Sequence, residues 1–431
     1  MKQNRIYYIL LILILLVFRT FLGIQINFSH LDYEQIYLIG IENAVSEQWS
    51  YWGPDVVWSK TRLAGALQGL LVGLPLKLFG HPYAPIILSN ILASAGLLMI
   101  AFYAKKRFPK LSLNFLILLV MLLPFYMYHS VVLLNTAYLL FSGAILFISV
   151  FELFLYRDQL IIKNPFWYFL SIGFALVFTY QLHLTWVMFL PFIVVLLYLE
   201  AKNKTQWLFY LGSFILGCLI AGSTLLPTIF QYHEVIYSNA SGNMTFKLER
   251  LLQIFDVFIR YISFSTFDVT YNHDIYKYAS EQSTIVFVLL RVLKVLGIIQ
   301  FIFLVLTYFK IRKNKEFQKV LLLFGLTLLM ATFLYMLSNK HLSLRTYILL
   351  YPIPLWMSFY AYNLWEGNKW LKKSIYLAFT LTAFTYTGVV YFNYNGPYSF
   401  KSVEHKIEQA LESKNPEDFA TRRKTLMDNY Y

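Results

Sequence analysis

Two carboxylates, Asp32 and Glu34, stand on either side of Tyr33 in the polar stretch Ser29-His30-Leu31-Asp32-Tyr33-Glu34-Gln35. This stretch follows directly on a strongly apolar N-terminal segment. A carboxylate at such a boundary is partly desolvated yet within reach of a substrate. One of the pair can take a proton from an acceptor hydroxyl, while the other orients the acceptor or binds a divalent cation. Asp32 is the preferred base and Glu34 the supporting group. A pair of solvated loop acids would read the same way, but Glu42, Glu47 and Asp55 in the same region are scattered.

A second set of side chains suits a phosphate. Lys60 and Arg62 precede a glycine-rich apolar run, and His341 and Arg345 precede a later apolar segment. Cations at headgroup level match a lipid phosphate, which the guanidinium fork binds bidentately; ordinary interfacial anchoring is the plainer reading of each. Arg19 lies inside the first apolar segment, where a charge is costly and often functional unless it snorkels or is paired. His129, Asn135 and His183 interrupt apolar segments at their ends. They complete a candidate substrate cavity with Arg19, and each is also explained as a hydrogen-bonded turn residue. There is no His pair at metal-ligand spacing, no Gly-x-Ser-x-Gly and no phosphate loop. No metal site or cofactor is expected beyond the divalent cation that Glu34 would hold. The lone Cys218 excludes an intramolecular disulfide framework.

The elements that must position these groups are membrane helices. Of 431 residues, 58% are hydrophobic and 13% charged, against about a quarter charged in a soluble domain. Such a chain cannot cover itself in water, and the class is a polytopic all-α bundle. The net charge of +14 needs no nucleic acid, because Lys and Arg that fix cytoplasmic loops give the same total. Lys2 and Arg5 before an apolar run could begin a signal peptide, but no small-residue cleavage site follows, so the run reads as an uncleaved first span. About eleven spans are expected, near 6–22, 85–103, 113–127, 134–155, 166–180, 186–199, 207–226, 285–308, 320–337, 347–362 and 375–391. With the N-terminus inside, the strong basic clusters between spans fall on the cytoplasmic side. Residues 25–83 and 227–282 are then outer loops, with interfacial helices near 63–79 and 247–261. Residues 1–392 form the transmembrane module and 393–431 a short extracytoplasmic tail.

The order of these pieces resembles the polytopic glycosyltransferases of the GT-C fold, in particular family 39-like protein mannosyltransferases and aminoarabinose transferases. Arg19 in the first helix is followed by Asp32-Tyr33-Glu34, the 63–79 helix, Gly80-His81-Pro82, a second span and Lys105-Lys106-Arg107-Phe108. Asn135-Thr136-Ala137-Tyr138-Leu139-Leu140-Phe141, Gln181-Leu182-His183-Leu184-Thr185 and Arg345-Thr346-Tyr347-Ile348-Leu349-Leu350-Tyr351-Pro352 follow in the same order. The chain departs from the pattern in having Tyr33 between its acids and Asn135 where some relatives carry an acid. The resemblance implies a polyprenyl-phosphate sugar donor in the outer leaflet and a glycan, lipid or protein acceptor. Asp32 would deprotonate the acceptor hydroxyl, and Lys60, Arg62 or Arg345 would stabilise the leaving lipid phosphate. It also implies a multi-pass protein of a bacterial inner membrane, with membrane lipids as further partners. Two other readings act in the same place: a polymerase or ligase of lipid-linked glycans, and a lipid or solute transporter or flippase.

Overall fold

The computed structural model describes residues 2–26, 31–45, 52–56, 61–202, 206–232, 246–270, 273–337, 344–397 and 399–413. Helix α1 (Lys2–Ile26) is followed by α2 (Leu31–Val45), a hairpin of β1 (Trp52–Val56) and β2 (Thr61–Ala64), and α3 (Leu67–Phe79). The bundle continues through α4 (Ala84–Arg107), α5 (Leu113–Leu122), α6 (Pro124–Val131), α7 (Leu139–Phe154), α8 (Phe166–Tyr180), α9 (Leu190–Ala201) and α10 (Trp207–Gly222). Then come α11 (Leu226–Tyr232), α12 (Ile254–Ser263), α13 (His273–Gln282), α14 (Thr284–Ile311), α15 (Lys315–Leu337), α16 (Pro352–Leu364), α17 (Lys369–Asn393) and α18 (Lys401–Ser413). The architecture is a polytopic helical bundle, and its β structure among the described residues is the single hairpin.

Eight helical segments of the described residues are long and apolar enough to cross a bilayer, or nine if the bent pair α5–α6 is one span. The expected eleven is corrected on three counts. The span near 113–127 is broken between Leu122 and Pro124 and bends by 59°. Proline removes a backbone donor and crowds the preceding turn, so the helix cannot run straight through Pro124. The segment near 166–180 is a 15-residue helix, short of the roughly 20 residues that a bilayer core requires. The segment near 347–362 is interrupted at Tyr351, between a 3-10 turn, Leu344–Leu350, and the 13-residue α16. The segment 25–83, expected as an outer loop, holds more regular structure than the one helix read there, because α2 and the hairpin lie within it. Asp32 and Glu34 therefore sit in the first turn of a helix rather than in a loop. That helix forms because Ile36, Tyr37, Ile39 and Ile41 bury against the bundle.

Arg19 shows how the broken span is held. Its side chain is fully buried and does not snorkel. Nη1 donates to the Met121 carbonyl at 2.6 Å and Nη2 to the Tyr126 carbonyl at 3.2 Å, with Ser130 Oγ also bound. Tyr386 Oη donates to the Pro124 carbonyl at 2.9 Å. Carbonyls on both sides of the bend are thus bound by side chains, which suits polar backbone where water is scarce.

The second outer loop, read as 227–282, also departs from expectation, because its middle re-enters the bundle. A Cβ at Gly297, halfway along α14, would lie 2.7 Å from Asp268 N. Gln300 Oε1 accepts from Phe267 N at 2.8 Å, and its Nε2 donates to the Ser265 carbonyl at 3.1 Å. Non-helical backbone is tolerated at this depth because it is enclosed by protein and satisfied by a side-chain amide. The preceding turn Leu248–Gln253 and α12 present Leu248, Leu252, Phe255 and Ile259 outward and bury Val257, Tyr261 and Ile262. Such an apolar exposed stripe suits an interfacial helix.

Candidate active site

Three 3-10 turns meet at one end of the bundle. Asn135–Tyr138 opens α7, Leu184–Phe189 opens α9, and Leu344–Leu350, which contains Arg345, precedes α16; the last packs against the other two. Asn135 Nδ2 donates to the Leu182 carbonyl at 2.8 Å. His183 caps its turn: Nδ1 accepts from Thr185 N at 3.3 Å and lies 2.9 Å from Thr185 Oγ1. A ring whose Nδ1 accepts carries its neutral-form proton on Nε2. Tyr351 Oη donates to the Leu140 carbonyl at 3.0 Å, and Tyr261 Oη to the Leu350 carbonyl at 2.6 Å. A Cβ at Gly143 would lie 2.7 Å from the Leu349 carbonyl, so the turn containing Arg345 lies directly against α7.

The hairpin that carries Arg62 is fastened to the same end. Gln181 is fully buried at the end of α8. Its Oε1 accepts from Thr224 Oγ1 at 2.6 Å, and its Nε2 donates to the Ala221 carbonyl at 2.9 Å. Just after β2, Ala66 N donates to the Thr224 carbonyl at 3.1 Å and Gly65 N to Thr228 Oγ1 at 3.2 Å. Gly65 has φ of +107°, a region that side chains other than glycine enter only with strain. A Cβ there would also run into the Gln181 amide. Gly65→Ala is therefore expected to weaken hairpin docking by about 1–3 kcal/mol. Limited proteolysis between β1 and β2 should accelerate, and unchanged cleavage would contradict the latch. α8 and α10, which supply this latch, touch backbone to backbone: a Cβ on Gly173 would strike the Phe214 carbonyl, and one on Gly217 the Leu170 carbonyl.

Helix α2 packs against α3, the hairpin and α18. A Cβ at Gly40 would fall 2.7 Å from Val72 Cβ, so the α2–α3 contact is close. Tyr37 Oη donates to the Pro82 carbonyl at 2.8 Å. Phe400, just before α18, is buried with ring centroids 5.9 Å from Tyr37 and 5.3 Å from Tyr83. Burial, then the neighbouring Glu404 carboxylate, pushes the Tyr83 hydroxyl well above its usual range.

Of the residues singled out in sequence, Asn135 and His183 are thus brought together, beside the turn that contains Arg345. Arg19 and His129 form a separate pair of positions around α6, with His129 buried and its ring 4.5 Å from Phe125. Lys60 and His341 lie outside the described residues, as do the side chains of Asp32, Glu34, Arg62 and Arg345. Sequence reasoning passed over two buried amides. Gln181 enters the sequence reading only as the first residue of the Gln181-Leu182-His183-Leu184-Thr185 stretch. Gln68, in the first turn of α3, is fully buried, and neither end of its carboxamide has a partner among the described residues. A buried amide in that state is suited to a bound polar molecule or to water. Among the described residues no group of three or more His, Cys, Asp or Glu is placed to hold a metal.

No known family profile matches the sequence, and neither does any curated protein. Solved structures do. ArnT from Cupriavidus metallidurans in the apo state superposes with a TM-score of 0.55 at 10% identity, over 93% of this chain and 78% of that one. ArnT from the same organism bound to undecaprenyl phosphate gives 0.53 at 11% identity, over 92% and 78%. At such identity the likeness is one of architecture, and it matches the expectation drawn from the order of the motifs: this integral, multi-pass membrane protein has the GT-C fold.

Proposed function

We propose that the protein is a membrane glycosyltransferase that moves a sugar from a polyprenyl-phosphate donor to an acceptor hydroxyl at the outer face of the membrane. The observation that carries this reading is the convergence at one bundle end of the turn containing Arg345, the Asn135 and His183 turns and the hairpin containing Arg62. The shared fold with a protein crystallised with undecaprenyl phosphate supports the donor class. Asp32 takes the proton of the acceptor hydroxyl as its oxygen attacks the anomeric carbon with inversion. The bond from that carbon to the phosphate oxygen breaks, and the lipid phosphate leaves with the bonding electrons. Lys60, Arg62, His341 and Arg345 stabilise the charge that gathers there. Glu34 orients the acceptor or holds a divalent cation, and Asn135 and His183 line the substrate cavity, while Arg19, expected with them, braces the bend between α5 and α6 and His129 packs on Phe125. Residues 1–392 act as the transferase module and 393–431 as its outer tail. The setting is a bacterial inner membrane, with the N-terminus cytoplasmic.

The test uses purified protein in liposomes with radiolabelled polyprenyl-phosphate sugar and a delipidated envelope fraction as acceptor. Label should move to the acceptor as free polyprenyl phosphate appears. Passage of the intact donor across the bilayer without transfer would overturn the proposal in favour of a flippase. Joining of lipid-linked glycans to one another would favour a polymerase or ligase.

A further inference from the structure

We infer that the end of the bundle formed by the α14–α15 and α16–α17 connections is a binding surface for anionic phospholipid headgroups. Residues 310–319 and 366–373 carry eight basic side chains and two acidic ones. The two connections form one surface. Lys310 Nζ stands 4.7 Å over the Trp365 ring, and Trp365 Nε1 donates to Thr307 Oγ1 at 3.3 Å. Both acids are engaged: Glu316 accepts from Tyr360 Oη at 3.1 Å, and Glu366 binds Lys372 at 2.7 Å. Arg312, Lys313, Lys315, Lys319, Lys369 and Lys373 are exposed and make no ion pair among the described residues.

This surface gathers more free cations than the 105–110 connection, where Lys106 and Lys110 are the exposed lysines without an ion pair among the described residues. Arg107 is bound by buried Glu152, and Arg157 by Glu200 at 2.9 Å, so those guanidinium groups are neutralised within the protein. Uncompensated like charges at close range repel one another, and an anionic surface relieves that repulsion. Membrane depth selects the partner. α14, α15 and α17 each qualify as spans, which places their ends at headgroup level. Trp370 is 80% exposed and Leu364 45% exposed on the same surface. A phospholipid supplies phosphate for the cations and acyl chain for these apolar groups, whereas a soluble anion supplies only the first. The inference stands apart from the glycosyltransferase reading and does not depend on it.

The test is native mass spectrometry of the full chain released from nanodiscs of mixed phosphatidylcholine and phosphatidylglycerol. Phosphatidylglycerol should be retained preferentially, and less so as salt is raised. The combined substitution Lys313→Gln, Lys315→Gln, Lys369→Gln and Lys373→Gln should lower that preference by about fivefold for each charge removed. The matching four Lys→Arg substitutions should preserve it. Lys106→Gln with Lys110→Gln, at another connection, should lower it by less than the four Gln substitutions do. Equal retention by the four-Gln variant and the unaltered chain would overturn the inference. So would an equal loss in the Lys106 and Lys110 variant, or displacement of the lipid by millimolar inorganic phosphate. Thermal unfolding in pure phosphatidylcholine reports whether the variants are folded, and the Arg series keeps the inference falsifiable if the Gln series is not.

Discussion

Asp32→Asn is expected to lower sugar transfer in reconstituted membranes by about 10²–10⁴-fold, the usual contribution of a positioned general base. Asparagine keeps the shape of the side chain and removes its capacity to accept a proton. Expression and thermal stability should remain normal, because α2 is anchored further along. Ile36, Ile39 and Ile41 are buried, Tyr37 binds the Pro82 carbonyl and Gly40 packs on Val72. Glu34→Gln should have a smaller effect, expressed mainly in the KM for acceptor if Glu34 orients it, or in divalent-cation dependence if it holds a cation. Each variant is assayed for transfer of radiolabel and for release of polyprenyl phosphate. Full activity of Asp32→Asn in folded, reconstituted protein would remove the central claim about the acidic pair.

The second large effect concerns stability. Glu152→Ala is expected to destabilise the bundle by about 3–5 kcal/mol, because it removes the counter-charge of the half-buried Arg107 and leaves the buried Tyr103 and Tyr168 hydroxyls without their acceptor. Glu152 is fully buried near the end of α7. It binds the Arg107 guanidinium, whose Nε lies 3.0 Å from Oε1, and accepts from Tyr103 Oη at 2.7 Å. Its other oxygen accepts from Tyr168 Oη at 3.0 Å and Ile161 N at 2.7 Å. Arg107 also donates to the Gln159 carbonyl at 2.8 Å and lies 4.1 Å over the Tyr156 ring. One carboxylate therefore ties α4, α7, α8 and the α7–α8 connection. The measurement is thermal unfolding in detergent, with the folded yield after extraction as a second readout. Replacing Arg107 and Glu152 together by apolar residues of similar size should recover part of the loss, because no charge is left unpaired. A Glu152→Ala variant with unaltered thermal stability would contradict this account.

Hydropathy along the chain is enough for the class of molecule and most of its spans. A lipid-facing helix must present nearly continuous apolar side chains, a signal that is local and needs no knowledge of partners. It also marked Asn135 and His183, because polar residues at the ends of apolar runs stand out. The amphipathic helix after Lys247 was readable for the same reason: its apolar residues recur at helical spacing.

How these pieces meet depends on contacts between segments far apart in the chain. Hydropathy cannot report that Pro124 bends a span by 59° and that Arg19, more than a hundred positions earlier, binds carbonyls around the break. Nor can it report that residues after α12 return to the middle of α14, where Gln300 serves their backbone. The mid-helix glutamine was a visible signal without a visible partner. The same holds for Gln181, whose role depends on Thr224 and on a hairpin that is distant in sequence. Apolar periodicity is a property of a segment, whereas hydrogen-bond satisfaction in a low-dielectric interior is a property of pairs. Pairs are fixed only when the helices have packed.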